Sequence, residues 1–185
     1  MTEPAAFRHA VDSDGLLDAR ATHLEMLALP AARVPMPLGP RLAVLRAEGM
    51  PLPFYRYLYE QVGKPSHWLK HRRLDDAALS AIIHAETTEI RVLYVDGSPA
   101  GFFELDFARA PGEGEILYFG LTPDFQGRGL ARFFLSEAIF AAFARAPDRV
   151  MIQTCTLDSP RALQLYQRMG FSPYAWSQEK VEPWL

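Results

Sequence analysis

Gln126-Gly127-Arg128-Gly129-Leu130-Ala131 stands between an apolar run that ends at Leu121 and a helical pattern that begins near Arg128. A strand, a glycine-bearing turn and a helix start, in that order, make an anion cradle. Glycines admit a phosphate close to the backbone, and the first free N–H groups of the helix point at it. The same order restricts the fold. A strand that feeds a helix and then a second strand, residues 150–156, implies a parallel pair with a right-handed crossover. Upstream the hydrophobic period is two. Residues 90–95, the Asp96-Gly97 turn, residues 100–107, a Pro111-Gly112-Glu113-Gly114 turn and residues 115–121 predict an antiparallel meander of three strands. The predicted fold class is α/β of the α+β type: a mixed, mostly antiparallel sheet flanked by helices.

The remaining elements follow from local signals. The helix after the cradle runs over residues 128–145, with Leu130, Phe133, Phe134, Ala138 and Ala141 or Ala142 on its packed face. Phe54, Leu58 and Val62 recur at helical spacing and Gly63 ends that helix. Asp75 or Asp76 caps a second helix over 77–84, with Leu79, Ile82 and Ile83 on one side. Asp158 and Ser159 are candidate caps for a last helix with Pro160 in its first turn; Gly170 stops it and Phe171 opens a final strand. Residues 22–27 and 42–45 read as strands, and residues 1–19 as a short helix or loose end. Prolines 30, 35, 37, 40, 51 and 53 exclude a long regular element between them.

With 185 residues, 49% of them hydrophobic, the chain is long enough for one domain with a large core. A net charge of −3 argues against a nucleic-acid binder. The single cysteine, Cys155, permits no intrachain disulfide and falls on a buried strand position. No basic start followed by an apolar block is present, and no apolar stretch is long enough to span a membrane, so the expected location is cytoplasmic. His67 and His71 are four apart but have no third ligand nearby, and they read as ordinary surface histidines; no metal is expected. Lys70-His71-Arg72-Arg73 reads as a solvated turn, with a phosphate contact as the second reading. Tyr55, Tyr59 and Trp68 either line an acceptor pocket or pack on the sheet.

A dinucleotide fold needs a first-strand G-x-G-x-x-G, and a P-loop needs Gly-Lys-Ser/Thr; neither occurs. The six residues 126–131 do match the Arg/Gln-x-x-Gly-x-Gly/Ala pyrophosphate loop of the Gcn5-related N-acetyltransferase (GNAT) superfamily, which the chain resembles. Ala162-Leu163-Gln164-Leu165-Tyr166-Gln167-Arg168-Met169-Gly170-Phe171 is similar to that family's second cofactor motif. The likeness covers residues 88–175. It implies one domain over 1–185, with 88–175 as the acetyl-CoA-binding core and 1–87 as a variable substrate-side part.

What the resemblance implies for the site is specific. Acetyl-CoA is the co-substrate. Backbone groups of Phe119, Gly120 and Leu121 pair with the pantetheine arm, and one amide polarises the thioester carbonyl. Gln126, Gly127, Arg128, Gly129, Leu130 and Ala131 hold the pyrophosphate, with Arg128 or Arg132 in charge-assisted contact. Tyr166 matches the thiol-facing tyrosine and serves as the acid for the leaving thiolate; packing beneath the last helix is the competing reading. Glu115, eleven residues before Gln126, matches the offset of the base glutamate in histone-type members, and Glu104 on the preceding strand is the second candidate. A hairpin that brings the two carboxylates together would raise one pKa by burial and repulsion. Many members carry asparagine where Ser159 stands, three before Ala162, so a cofactor contact there passes to Ser159 or is absent.

The implied reaction is acetyl transfer to a primary amine, small-molecule or protein, by direct attack in a ternary complex. A non-catalytic acyl-CoA sensor and a docking protein using the proline-rich segment are the alternatives, and homodimerisation stays open.

Overall fold

The computed structural model describes residues 11–185. Its strands are β1 (Leu17–Met26), β2 (Leu42–Arg46), β3 (Thr88–Val95), β4 (Ser98–Asp106), β5 (Glu113–Leu121), β6 (Arg149–Cys155) and β7 (Ser172–Val181). Its helices are α1 (Leu52–Gly63), α2 (Asp76–Ile83), α3 (Leu130–Phe143) and α4 (Ala162–Arg168). The strands form one sheet in the order β2-β3-β4-β5-β6-β1-β7. β5 and β6 run parallel, as the strand–helix–strand order requires, and every other neighbouring pair is antiparallel.

Two apolar layers sandwich the sheet. On one face Phe103, Leu105, Ile116, Leu121 and Ile152 pack against Phe133, Phe134, Ala138 and Ala142 of α3. On the other, Ile90, Val92, Phe102 and Tyr118 meet Tyr55, Leu58, Tyr59 and Val62 of α1 and Leu79 and Ile83 of α2. β4 is therefore covered on both sides, and Ala100 through Leu105 are all buried, Glu104 among them. A strand in that position normally reads as a continuous apolar run.

The helical patterns hold with small shifts. The buried stripe of α1 is Tyr55, Leu58, Tyr59 and Val62, whereas Phe54 is only half-buried. The i, i+4, i+8 pattern drifted off the true face because phenol rings, not Phe54, fill the sheet side. Asp75 caps α2 by accepting the Ala78 N–H at 2.8 Å.

Three expectations need correction. Residues 11–19 are not a loose end: after a turn, β1 begins at Leu17, and residues 1–10 lie outside the described part. Leu17, Ala19 and Ala21 are buried between exposed Asp18 and Arg20, an alternation hidden by the small alanines. The α4 cap is neither Asp158 nor Ser159. Arg161 precedes the helix without a side-chain cap bond, and Pro160 stays outside it. The Asp158 carboxylate turns back to the strand end, accepting Thr154 Oγ1–H at 2.9 Å and Cys155 N–H at 2.8 Å. His67 and His71 share no helix face, since α1 ends at Gly63, and His71 is buried instead of lying on the surface.

No helix among the described residues is long and apolar enough to cross a membrane. Close approach governs the contact between α1 and β5: a Cβ added at Gly120 would run into Val62 Cγ1. Gly120→Ala is expected to lose about 1–3 kcal/mol through overpacking. Because Val62→Ala vacates that space, the double variant should lose less than the two single losses added together. Urea denaturation of the four proteins checks this; strict additivity would mean that α1 does not rest on Gly120.

Candidate active site

β5 and β6 stay together only at their starts. Their register runs from Glu113 opposite Arg149 to Ile116 opposite Ile152, and then the strands part. Arg149 ties the closed end, pairing with Glu113 on β5 and with Glu25 on β1 at 2.8 Å. A bulge in β5 at Leu117 shifts the β4 register just where the parting begins, since Glu104 faces Tyr118 while Leu105 faces Ile116. Beyond it, the β6-facing side of Phe119, Gly120 and Leu121 has no strand partner among the described residues, and apart from the Leu121 carbonyl, which accepts a side-chain bond, its backbone groups are open to a ligand.

The cradle follows directly. A short 3₁₀ turn, Pro123–Phe125, leads into Gly127 and Gly129, both left-handed at φ 72° and 76°. That conformation is natural only for glycine here. Gln126 latches the turn, its side-chain amide donating to Leu121 O at 3.0 Å. α3 then starts at Leu130, which is buried, with no side-chain cap on its first N–H groups. Arg128, its guanidinium 4.9 Å from the Phe125 ring centre, and Arg132 are exposed at this helix start. Uncapped amides and two cations suit a doubly charged anion.

Tyr166, on α4, is buried beside Phe119, with ring centres 6.4 Å apart at 72°, and against Phe171. Burial, with Asp158 nearby, pushes its phenol well above the ordinary range, so it is a neutral hydroxyl at any physiological pH. Ser159 is exposed and its carbonyl accepts the Ala162 N–H at 2.9 Å; Ala162 packs on the core.

The two carboxylates have different surroundings. Glu115 pairs with Asp106 in the ladder and holds an ion pair to Arg109 at 3.3 Å. Glu104 is 1% exposed and makes no ion pair with a lysine or arginine among the described residues; His71 Nδ1 lies 3.9 Å from its Oε1. The Tyr55 hydroxyl donates to its Oε2 at 2.6 Å, and Oε1 is buried without a hydrogen-bond partner among the described residues. Burial pushes Glu104 up to about 7; the Tyr55 bond opposes this and Asp106 adds to it. The repulsion expected from Glu115 thus comes from Asp106.

Around Glu104 lies a polar aromatic cluster. His71 Nδ1 is 2.6 Å from the Tyr55 oxygen, and its ring stacks on Tyr59 at 5.6 Å. The Tyr59 hydroxyl accepts the backbone N–H of His71 and donates to the Tyr118 oxygen at 3.4 Å. Trp68 covers Tyr59 and Tyr118. Burial pushes His71 down to about 4. The sequence weighs His71 only as a metal ligand or as part of a basic run, and does not single out Tyr118 as a lone site residue. His71 sits in a turn whose burial depends on α1 and β5, and nothing local announces it.

The basic run 70–73 meets the C-terminal residues: Arg73 pairs with Glu182, and Arg72 lies 4.3 Å from the centre of the Trp184 ring. Cys155 is half-buried and its thiol is pushed up to about 11 by burial, which makes it a poor nucleophile. Among the described residues, no group of three or more His, Cys, Asp or Glu side chains is placed to hold a metal. A groove of about 430 Å³ between Arg20, Thr22 and Trp176 contains none of the candidate groups.

Residues 53–171 match the family model described as Acetyltransferase (GNAT) family. Over 62 residues the chain is 40% identical to mycothiol acetyltransferase of Beutenbergia cavernae, a stretch that covers 34% of this chain and 20% of that protein. A putative GNAT acetyltransferase structure from Novosphingobium aromaticivorans superposes with a TM-score of 0.61 at 17% identity, covering 92% of this chain and 68% of the other. The ribosomal-protein-S18-alanine N-acetyltransferase of Escherichia coli gives 0.57 at 18% identity, covering 73% and 80%. These likenesses to solved structures concern the fold; the family match spans well over half of the sequence. The chain belongs to the GNAT acetyltransferase family.

Proposed function

We propose that the protein transfers the acetyl group of acetyl-CoA to a primary amine by direct attack, with Glu104 as general base and Tyr166 as general acid. The observation that carries this is the carboxylate oxygen Glu104 Oε1, buried with no hydrogen-bond partner among the described residues, one strand away from the open edge of β5. A buried polar atom without a partner is costly, and an ammonium or amine N–H supplies what it lacks.

The residues present suit acetyl-CoA. The uncapped amides of α3, left-handed Gly127 and Gly129, and exposed Arg128 and Arg132 fit its pyrophosphate. The unpaired edge at Phe119–Leu121 fits an amide-bearing arm, and its N–H groups can stabilise an oxyanion. When bound, acetyl-CoA supplies a thioester carbonyl and a thiolate leaving group.

An alkylamine with pKa roughly 10 arrives protonated at neutral pH. Glu104, with its proton affinity centred near pH 7, matches the task of a base at neutrality far better than Glu115, which Arg109 occupies. Tyr166 remains protonated and available to a thiolate beside Phe119. The roles therefore fall to Glu104 ahead of Glu115. A ternary complex fits as well, because the one cysteine is held as a thiol.

Two measurements test the assignment. Tyr166→Phe should lower kcat by roughly 10²-fold or more while calorimetry finds CoA affinity unchanged; equal turnover would remove Tyr166 from the chemistry. Glu104→Gln should lower kcat/KM and abolish an acid limb near pH 7, whereas Glu115→Gln keeps it.

The same Glu104 substitution carries a stability signature. The folded carboxyl sits at about 7 against 4.5 unfolded, so the proton-bound fold is favoured below that range and the advantage disappears as pH rises through 7. Above pH 8 the ionised, buried group costs roughly 3 kcal/mol. Glu104→Gln should thus be more stable than the parent at pH 8.5 and nearly equal to it at pH 4.5, measured by denaturant titration at both.

A further inference from the structure

A base that is 1% exposed still has to exchange protons with solvent in every catalytic cycle. The Tyr55 oxygen touches both Glu104 Oε2 and His71 Nδ1, each at 2.6 Å. A phenol has one proton. When Tyr55 donates it to an ionised Glu104, the contact with His71 has to be Nδ1–H donating to Tyr55. When Glu104 is protonated on Oε2, the chain reverses: Oε2–H donates to Tyr55, Tyr55 donates to Nδ1, and the imidazole proton sits on Nε2. His71 also borders a cavity of about 100 Å³ that it shares with Arg56, Glu60, Arg72 and Trp184.

With Glu104 as the base proposed above, on which this inference rests, we propose that Tyr55 and His71 are positioning residues that form its proton port. They join the buried carboxylate to the Trp184 cavity through a hydrogen-bond chain of reversible polarity. A proton from the cavity binds His71 Nε2; the Nδ1 proton passes to the Tyr55 oxygen as the Tyr55 proton passes to Oε2. His71 and Tyr55 end neutral and Glu104 ends as the acid. The reverse sequence restores the carboxylate and returns one proton to the cavity. In the ionised state the chain engages Oε2 and leaves Oε1 for the acceptor.

The surroundings favour a change of tautomer over a change of charge. From α1, Tyr55 and Tyr59 face the cluster; from the following turn, His71 and Lys70; from the sheet, Asp106, Tyr118 and, beyond it, Glu115. Burial holds all three tyrosines neutral. Burial and then Lys70 hold His71 down at about 4, below Glu104 at about 7. Between these values His71 is uncharged while Glu104 titrates, so the ionisation of one is recorded in the tautomer of the other.

The test is a pH titration of the full chain, without substrate, following the ¹⁵N shifts of the His71 ring by NMR. The expected result is an Nδ1–H tautomer at pH 8.5, an Nε2–H tautomer at pH 5.5, and loss of that switch in Glu104→Gln. A tautomer constant across the range, or an imidazolium at its midpoint, overturns the port. Kinetics give the second reading: Tyr55→Phe removes a donor from the carboxylate and should move the acid limb of kcat/KM to higher pH, lowering kcat/KM at pH 6.5 by about tenfold. His71→Asn, which keeps an N–H near the Nδ1 position, should stay closer to the parent than His71→Phe. A Tyr55→Phe limb at the parent position overturns the proposal as well. A parent chain that shows the switch but acetylates no amine keeps the port and removes the acetyl-transfer role.

Discussion

Burying a carboxylate in the middle of a strand covered on both faces is the constraint to which the rest of the site is fitted. Glu104 lies between Phe103 and Leu105, in a position where a charge has no water to stabilise it. The fold answers with a Tyr55 hydroxyl from α1, and α1 reaches that depth because Gly120 has no side chain to hold it off. The compensation is deliberately partial: one oxygen is satisfied and the other is not. Burial thereby disfavours the ionised form near neutral pH, a pattern common at functional sites.

The opposite constraint shapes the open edge of β5 and the start of α3. There the backbone, not a side chain, is left unsatisfied. Arg149, Glu113 and Glu25 hold β5, β6 and β1 together at one end, and the Leu117 bulge turns β5 away at the other. An open edge and an uncapped helix result, both rich in N–H donors. Phe119 faces Tyr166 across this region, so a group lying along the open strand edge has the phenol as a neighbour.

Periodic elements were legible in the sequence because their signals are local. The β3–β5 meander, the packed face of α3 and the Asp75 cap follow from spacing and cap chemistry and stand within a few residues of where they were read. β1 lost its first half to the small size of Ala19 and Ala21, whose burial depends on neighbours far away in sequence. The order of Glu115 and Glu104 rested on a motif offset, and an offset carries no information on the ion pair between Arg109 and Glu115. His71 was legible least: a histidine in a turn gains meaning only once α1, β5 and Trp68 close around it.

The place of β1 in the sheet has a kinetic consequence. It pairs with β6 on one side and with β7 on the other, in a register that sets Leu17 against Val181. During synthesis this early strand has no partner until β6 is made, and it acquires its second only when the last strand emerges. The meander and α3 are built from contacts local in sequence, whereas the pairings of β1 with β6 and β7 join distant parts of the chain and carry a higher loop-entropy cost. Until those pairings form, β1 is a ribosome-tethered chain with alternate residues apolar and both edges bare, the kind of segment on which chaperones act.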